Sequence, residues 1–361
     1  MASQLRVGIA GLGKMGRIRM RELARREDVA VVIGADPDES SHAFFQTEGV
    51  ECIDDPWKVV DADVDAVFIC TPNRFTSELC CAALAAGKHV FAEKPPGRNV
   101  EEVTRIVEAE RANPGLVLKF GFNHRYHAGI KEAKRIISGG RLGEVLWARG
   151  VYGKSGGDGF ESEWRSDAEM SGGGILLDQG IHMLDLMRFF LGDFTEIKSM
   201  VTSAYWKIPM EDNAFALLRD EQGRIAMLHS SSTQWKHRFN LELYATEGYL
   251  SVNGILSSTR SYGDETITVA RRRHGGHQAA GKPREEVIYF DTDPSWELEV
   301  NEFIDAVQGT GSVLYGTSAD ALAAMKLVFD IYEADPSFGT QARDAKATRA
   351  LHVLSTSTGP Q

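Results

Sequence analysis

The segment LRVGIAGLGKMGRIRMREL, residues 5–23, leaves the chain few ways to begin folding. An apolar run from Leu5 to Ala10 has the composition of a buried strand, and Gly11-x-Gly13-x-x-Gly16 follows it directly. From Met15 to Arg26 the pattern becomes helical. A second apolar run, VAVVIGADPD, then ends in Asp36. Strand, glycine turn, helix, and a second strand closing on an acid about 20 residues later together describe a dinucleotide-binding βαβ unit. Gly11 permits the tight turn, Gly13 lets the backbone approach a pyrophosphate, and Gly16 lets the helix close on the strand. Lys14 and Met15 lie in the same turn, and the positive end of the helix dipole faces the phosphates. Asp36 is either a turn or cap residue or the acceptor for the adenosine ribose hydroxyls. On the second reading Asp38 follows and no Arg lies in that turn, so NAD is expected and NADP disfavoured.

Strand and helix continue to alternate. DAVFIC, the helix through ELCCAALAAG, KHVFAEKP, a helix from about Asn99 to Arg111, and LVLKFGFNHRY complete a pattern that implies a parallel sheet covered on both faces. Ligands gather at the carboxyl ends of such strands, where Thr71, Pro72, Asn73, Glu93, Lys94 and Asn123 fall. From about residue 144 the texture changes to strand-like runs separated by turn signals, which is expected to be a mostly antiparallel, meandering open sheet. A helix over 174–191 lies between its first two strands, and helices at about 296–308 and 318–334 follow. The expected fold is therefore an α/β Rossmann domain, residues 1–123, followed by an α+β domain over 124–335 and a tail over 336–361. The last helices are placed to pack back on the first domain.

The helix over 174–191 carries Asp178, His182 and Asp185 among Ile, Leu and Met. At about 100° per residue these three groups form one narrow stripe on an otherwise apolar cylinder. Burying them is costly unless they are paired or used. A metal site, a proton-transfer site and a satisfied structural network each explain the stripe. A single helix supplying three ligands is not a usual zinc arrangement, so no metal is expected. Removal of a hydroxyl proton as a hydride departs suits a Lys or His titrating near the working pH.

Composition removes other classes. A net charge of -11 without a long basic stripe argues against nucleic acid, and no apolar run reaches the roughly 20 residues of a membrane span. Cys52, Cys70, Cys80 and Cys81 lack CxxC spacing, and reduced, mostly buried thiols in a cytoplasmic protein are expected. ARRRHGGH, residues 270–277, is the one basic cluster, and its expected role is a solvated hairpin loop.

The GxGxxG unit, AEKP at 92–95 and GGGILLDQGIHMLDLMRFFLG at 172–192 together resemble the glucose-fructose oxidoreductase, inositol dehydrogenase and rhizopine-catabolism (Gfo/Idh/MocA) family. The resemblance covers about residues 5–335. It implies an oxidoreductase acting on CH–OH groups, which uses a nicotinamide to oxidise a secondary alcohol of a sugar, cyclitol or nucleotide sugar, or to reduce the corresponding ketone. It further implies that Lys94, Asp178 and His182 line the site. FNHRYH and EWRSD beside LLDQGIH are most similar to bacterial enzymes acting on nucleotide-linked hexoses, often at C3.

On this reading Lys94 and His182 form the acid/base pair, with His182 the direct proton acceptor and Lys94 polarising the oxygen. Asp178 orients the substrate or the imidazole, and Asp185 anchors a nearby backbone or Arg. Asn123, Arg125, Tyr152, Trp164 and Arg165 are candidate substrate contacts. Lys154 is equally a grip on a substrate hydroxyl or phosphate and a loop-packing residue. The open sheet face points to a homodimer or homotetramer. The rival readings are an inositol or free-sugar dehydrogenase, tightly held NAD that cycles without net redox change, and a non-catalytic NAD-binding sensor. A sensor would have no need of Lys94, Asp178 and His182 together.

Overall fold

The computed structural model describes residues 4–257, 259–272 and 283–338. Six parallel strands form the first sheet: β1 (Leu5–Ala10), β2 (Val29–Ala35), β3 (Glu51–Ile53), β4 (Ala66–Ile69), β5 (His89–Ala92) and β6 (Leu118–Phe120). Their order is β3-β2-β1-β4-β5-β6. The order reverses between β1 and β4, which opens a crevice where the Gly11 turn faces Cys70 and Thr71. AVFI in β4 is buried along its whole length, as a strand covered on both faces must be. The covering helices are α1 (Lys14–Leu23), α2 (His42–Thr47), α3 (Lys58–Asp61), α4 (Asn73–Ala85) and α5 (Val100–Ala112). The Asn99 side chain caps α5 by accepting from Glu102 N at 2.8 Å.

After α6 (Ala128–Ser138) come β7 (Val145–Gly153), β8 (Glu196–Thr202), β9 (Asn213–Arg219), β10 (Ile225–Ser231), β11 (Arg238–Ala245), β12 (Gly248–Asn253), β13 (Glu265–Arg271) and β14 (Glu285–Phe290). They form a second sheet of order β14-β13-β12-β11-β7-β10-β9-β8. The expected plain meander is corrected. β7 lies inside the sheet, antiparallel to β11 and parallel to β10. The segment after β7 crosses one face through α7 (Ala168–Ser171) and α8 (Ile181–Leu191) and delivers the chain to the far edge at β8. The last helices, α9 (Ser295–Val307) and α10 (Ser318–Ala334), pack on α1 and on α5, respectively, and α10 also covers α8 and β8.

The helix expected over 174–191 is not uniform. Leu176–Gly180 is a π-helical turn that runs directly into α8. The wider turn takes Asp178 out of the spacing assumed for a regular helix, and the three stripe residues enter separate networks. Asp185 Oδ2 and Oδ1 accept from Arg125 Nε at 2.8 Å and Nη2 at 2.6 Å, and Arg125 Nη2 also donates to Asp320 Oδ1 at 3.0 Å. Arg125 thus joins the turn after β6 to α8 and α10. These bonds, to the buried Asp185 and the half-buried Asp320, compete with the substrate contact expected of Arg125.

A second ion network lies under the nucleotide crevice. Arg19 of α1 donates from Nε to Glu93 Oε1 at 2.7 Å, and its Nη2 lies 2.7 Å from Glu299 Oε2 of α9. The four cysteines are free, with Cys80 fully buried and the others half-buried. Among the described residues no helix is long and apolar enough to cross a membrane. Part of the basic cluster, residues 273–277, and the tail from 339 onward lie outside the described residues.

Removing one partner of a buried ion pair leaves the other charge uncompensated. Asp185→Asn is therefore expected to cost about 3–5 kcal/mol in urea unfolding. Dinucleotide affinity, measured by titration, should hold, since the hydrogen bonds of the Asp185 carboxylate go to Arg125 and not to the Gly11 turn.

Candidate active site

Gly11 takes φ +94°, and a Cβ there would come within 2.6 Å of the Cys70 carbonyl carbon and oxygen. At Gly16 a Cβ would meet Gly11 O at 2.2 Å. Gly13 differs: a Cβ added to it meets nothing within 4 Å. Gly13 also caps α1 without a side-chain hydrogen bond, so the first N–H groups of the helix remain available to an anion. Thr71 Oγ1 is buried with no partner in the chain. Open space over Gly13, an uncapped helix start and an orphan hydroxyl across the crevice all fit a dinucleotide. Lys14 is exposed and Met15 half-buried in the first turn of α1.

Asp36 leaves β2 with its carboxylate accepting from Leu12 N at 2.8 Å and Asp38 N at 2.9 Å. These bonds fix the carboxylate beside the glycine turn. Pro72 precedes α4, and Asn73 opens it, but Asn73 Nδ2 donates to Ser171 O at 2.7 Å. The Glu93 carboxylate points into the fold at Arg19. The Asn73 amide and the Glu93 carboxylate, both expected to contact the cofactor, are thus bonded to neighbouring segments of the chain.

Lys94 follows β5 and donates from Nζ to the Asp178 carbonyl oxygen at 2.7 Å, while Asp178 Oδ1 lies 3.7 Å away. Asp178 Oδ2 accepts from Lys154 Nζ at 2.8 Å, and Arg165 Nε is 3.4 Å from Oδ1. Three cations thus share one carboxylate. Burial alone would push the Asp178 carboxyl up, but Lys154, Lys94 and Arg165 together hold it far below the usual carboxylate range. It stays ionised across any working pH, which makes it an anchor for cations. Burial lowers the Lys94 ammonium below the ordinary lysine value; Asp178 opposes that shift and Arg165 and Lys154 add to it.

His182 is almost wholly buried and stacks on His124 with ring centroids 3.7 Å apart. Burial, reinforced by Lys94 and His127, pushes its imidazolium well below the usual range, so His182 is neutral. Its Nδ1 has no partner. His124 lies 3.0 Å from the Tyr152 hydroxyl through Nε2 and 3.1 Å from Asn123 Oδ1 through Nδ1. With the Asn123 oxygen turned to Nδ1, His124 donates there and accepts the Tyr152 O–H at Nε2. Asn123 Nδ2 donates in turn to Ser295 Oγ at 3.1 Å. Asn123 and Tyr152, expected to touch substrate, support the ring on which His182 rests. Trp164 lies under Arg165, with the guanidinium carbon 4.4 Å from the ring centroid.

Sequence reasoning left Lys154 undecided and gave no role to His124 or Glu211. Lys154 stands at the carboxyl end of β7, but 24 residues separate it from Asp178, and only the folded sheet brings them together. Glu211 is buried and accepts from Gly174 N and Leu176 N at 2.9 Å each and from the Tyr332 hydroxyl at 2.7 Å, holding the start of the Asp178 segment. Burial pushes its carboxyl up to about 7 despite these donors. Among the described residues no group of three or more His, Cys, Asp and Glu side chains is placed to hold a metal.

The two glycines separate folding from binding. Gly11→Ala should lose about 1–3 kcal/mol of stability through backbone strain, with the collision at Cys70 adding to it. Gly13→Ala should unfold like the unmodified chain yet bind the dinucleotide more weakly, because its methyl enters the space over the turn. Thermal unfolding and cofactor titration of both variants check this.

The geometry has counterparts among known proteins. Residues 5–120 match the oxidoreductase family's NAD-binding Rossmann fold, and residues 130–251 match the GFO/IDH/MocA C-terminal domain. A 1,5-anhydro-D-fructose reductase from Ensifer adhaerens is 33% identical over 258 residues, covering 70% of this chain and 72% of that one. A myo-inositol 2-dehydrogenase from Thermotoga maritima is 27% identical over 270 residues, covering 72% and 79%. The crystal structure of a 3-ketoreductase from Actinomadura kijaniata in complex with NADP and TDP-benzene superposes with a TM-score of 0.79 at 22% identity, over 92% of this chain and 98% of that one. With both domains matched in order, the Rossmann crevice and the Lys94, Asp178 and His182 cluster belong to a chain of the Gfo/Idh/MocA family, an NAD(P)-binding sugar oxidoreductase.

Proposed function

We propose that this chain is an NAD-dependent dehydrogenase in which Lys94 exchanges the proton of a secondary hydroxyl on a hexose. The observation that carries this reading is the position of Lys94 Nζ. It is tethered to the Asp178 carbonyl, beside an ionised Asp178 and a neutral His182, at the mouth of the nucleotide crevice. A bound nicotinamide would supply the hydride acceptor. The hydroxyl proton goes to the neutral Lys94 amine as the carbon–oxygen double bond forms, and the protonated amine returns it in the reverse direction. His182 was expected to be the direct acceptor. Burial keeps His182 neutral, while the Lys94 amine lies at the Asp178 carbonyl, so on this reading Lys94 takes the proton and His182 positions the hydroxyl by a hydrogen bond.

NAD is favoured over NADP because the Asp36 carboxylate is fixed beside the glycine turn and Asp38 follows it. A 2′-phosphate would meet two acids there. For the substrate, Arg165 lies beyond the cluster, reaches Asp178 only at 3.4 Å and is 38% exposed, so its guanidinium is open to an anionic group. That supports a nucleotide-linked hexose. The second reading, a cyclitol or free sugar, is favoured by the named activities of the inositol and anhydrofructose relatives. Leu146, Met200, Phe215, Leu217 and Met227 lie exposed on the outer sheet face, Met200 at 75%. This supports a homodimer or homotetramer through that face, and sedimentation as a monomer at micromolar concentration would overturn it.

A panel of UDP- and TDP-hexoses, inositols and free hexoses with NAD and with NADP tests the reading. Preference for NAD and for a nucleotide-linked hexose is expected. Inositol turned over as well as any nucleotide sugar would decide for the second reading. Lys94→Ala should slow single-turnover NADH formation by roughly 10²–10⁴, and His182→Ala by about tenfold, the worth of one hydrogen bond. The oxidation rate should rise with pH as the Lys94 amine deprotonates, with a midpoint below the ordinary lysine value of about 10.4. In the reducing direction the rate should fall through the same midpoint, because reduction needs the protonated amine.

A further inference from the structure

Lys154 is built into the site more firmly than a loop lysine requires. It follows β7 immediately, and its backbone is pinned on both sides: its N donates to Ser231 O at 2.8 Å and its O accepts from Gln234 N at 3.0 Å. The side chain then runs over the Phe160 ring, 5.5 Å from the centroid, and ends on Asp178 Oδ2 at 2.8 Å. Lys94, the other lysine of the cluster, stays 3.7 Å from the same carboxylate and spends its short hydrogen bond on the Asp178 carbonyl. Two ammonium groups therefore divide one residue between them, Lys154 holding the side chain and Lys94 the main chain.

We propose that Lys154 is a positioning residue for the reaction: by occupying Asp178 Oδ2 it keeps the carboxylate from closing on Lys94, and so leaves the Lys94 amine free to exchange a proton with the substrate hydroxyl. The inference rests on the assignment of Lys94 as the proton-exchanging group. Without Lys154 the Asp178 carboxylate loses its closest cation and turns to the next one. A direct ion pair with Lys94 stabilises the ammonium and withholds the neutral amine. The groups facing Lys94 are Glu93 beside it after β5, Asp178 and His182 from the π turn and α8, Lys154 from the end of β7, Arg165 from the turn at 164–166, and His124 from the turn after β6. Of the cations, Lys154 has the shortest contact with Asp178, so its loss changes the balance most.

Two readouts separate this proposal from the functional reading it rests on. The first needs no substrate. Trace labelling of the folded full chain with acetic anhydride across a pH series, followed by peptide mass spectrometry, reports the midpoint at which the Lys94 amine becomes reactive. Lys154→Met should raise that midpoint by about one pH unit, the lower end of what an opposite charge at short range produces. Lys154→Arg, which restores a cation to Asp178, should bring it back to that of the unmodified protein. The second readout is oxidation of the substrate found in the panel. Lys154→Met should lower kcat about tenfold below the midpoint, recover at high pH, and leave NAD affinity and the substrate KM little changed. A merely structural lysine would move stability and KM but not the labelling midpoint. If Lys154→Met does not fold, as judged by circular dichroism, Lys154→Gln carries the same expectation. An unmoved midpoint in the folded variant overturns the proposal. A midpoint that rises while no sugar, cyclitol or nucleotide sugar is turned over overturns the functional reading and leaves the Lys154 geometry standing.

Discussion

The ionised carboxylate of Asp178, half-buried and shared by three cations, is the interaction on which the arrangement of the site depends. Burial alone would push this carboxyl up and the three cations hold it down, while without it they would face one another as like charges. Each cation comes from a different part of the fold: Lys94 from the first sheet, Lys154 from the second, and Arg165 from the turn leading to the helix. The carboxylate therefore joins the end of the first sheet to the end of β7 in the second. The π turn at Leu176–Gly180 turns Asp178 toward these cations, while Asp185, one helical segment further, faces the opposite network.

Buried charge recurs around the site in satisfied or partly satisfied form. Arg19, Glu93 and Glu299 tie the nucleotide-facing helix α1 to α9. Lys119 of β6 donates to Glu302 of α9 at 2.7 Å and to the Tyr126 hydroxyl at 2.6 Å. Arg125 ties α8 to α10 through Asp185 and Asp320. Such pairs add little net stability compared with apolar packing, but they are unforgiving of misplacement. Their effect here is geometric: the segments after β5 and β6, which carry Lys94 and Asn123, and the helix that carries His182 are each fixed by partners distant in sequence.

Much of this was legible in residues that act locally. The strand-turn-helix over residues 5–23 announced its fold because a glycine turn against a buried strand admits few geometries, and Asp36 followed at the distance one βαβ unit sets. The family resemblance brought Lys94, Asp178 and His182 forward, and the fold gathers Lys94 and Asp178 into one cluster with His182 close enough to feel the Lys94 charge. Asp185 was separated from the other two as an anchor for an Arg, and Arg125 is that partner. Local reasoning could not show that Arg125, Asn73 and Glu93 bond to distant parts of the chain. A polar side chain at the carboxyl end of a strand looks equally available whether it faces a ligand or a neighbouring helix.

What the sequence determined by itself was the order of elements and the glycine turn, because these rest on spacing within one or two elements. The tertiary structure alone decided the place of β7 inside its sheet, the π turn that splits the polar stripe, and the grip of Lys154 on Asp178. Each of these depends on contacts between segments far apart in the chain. Their cost and benefit appear only when burial removes water from the charges and makes every carboxylate find a partner.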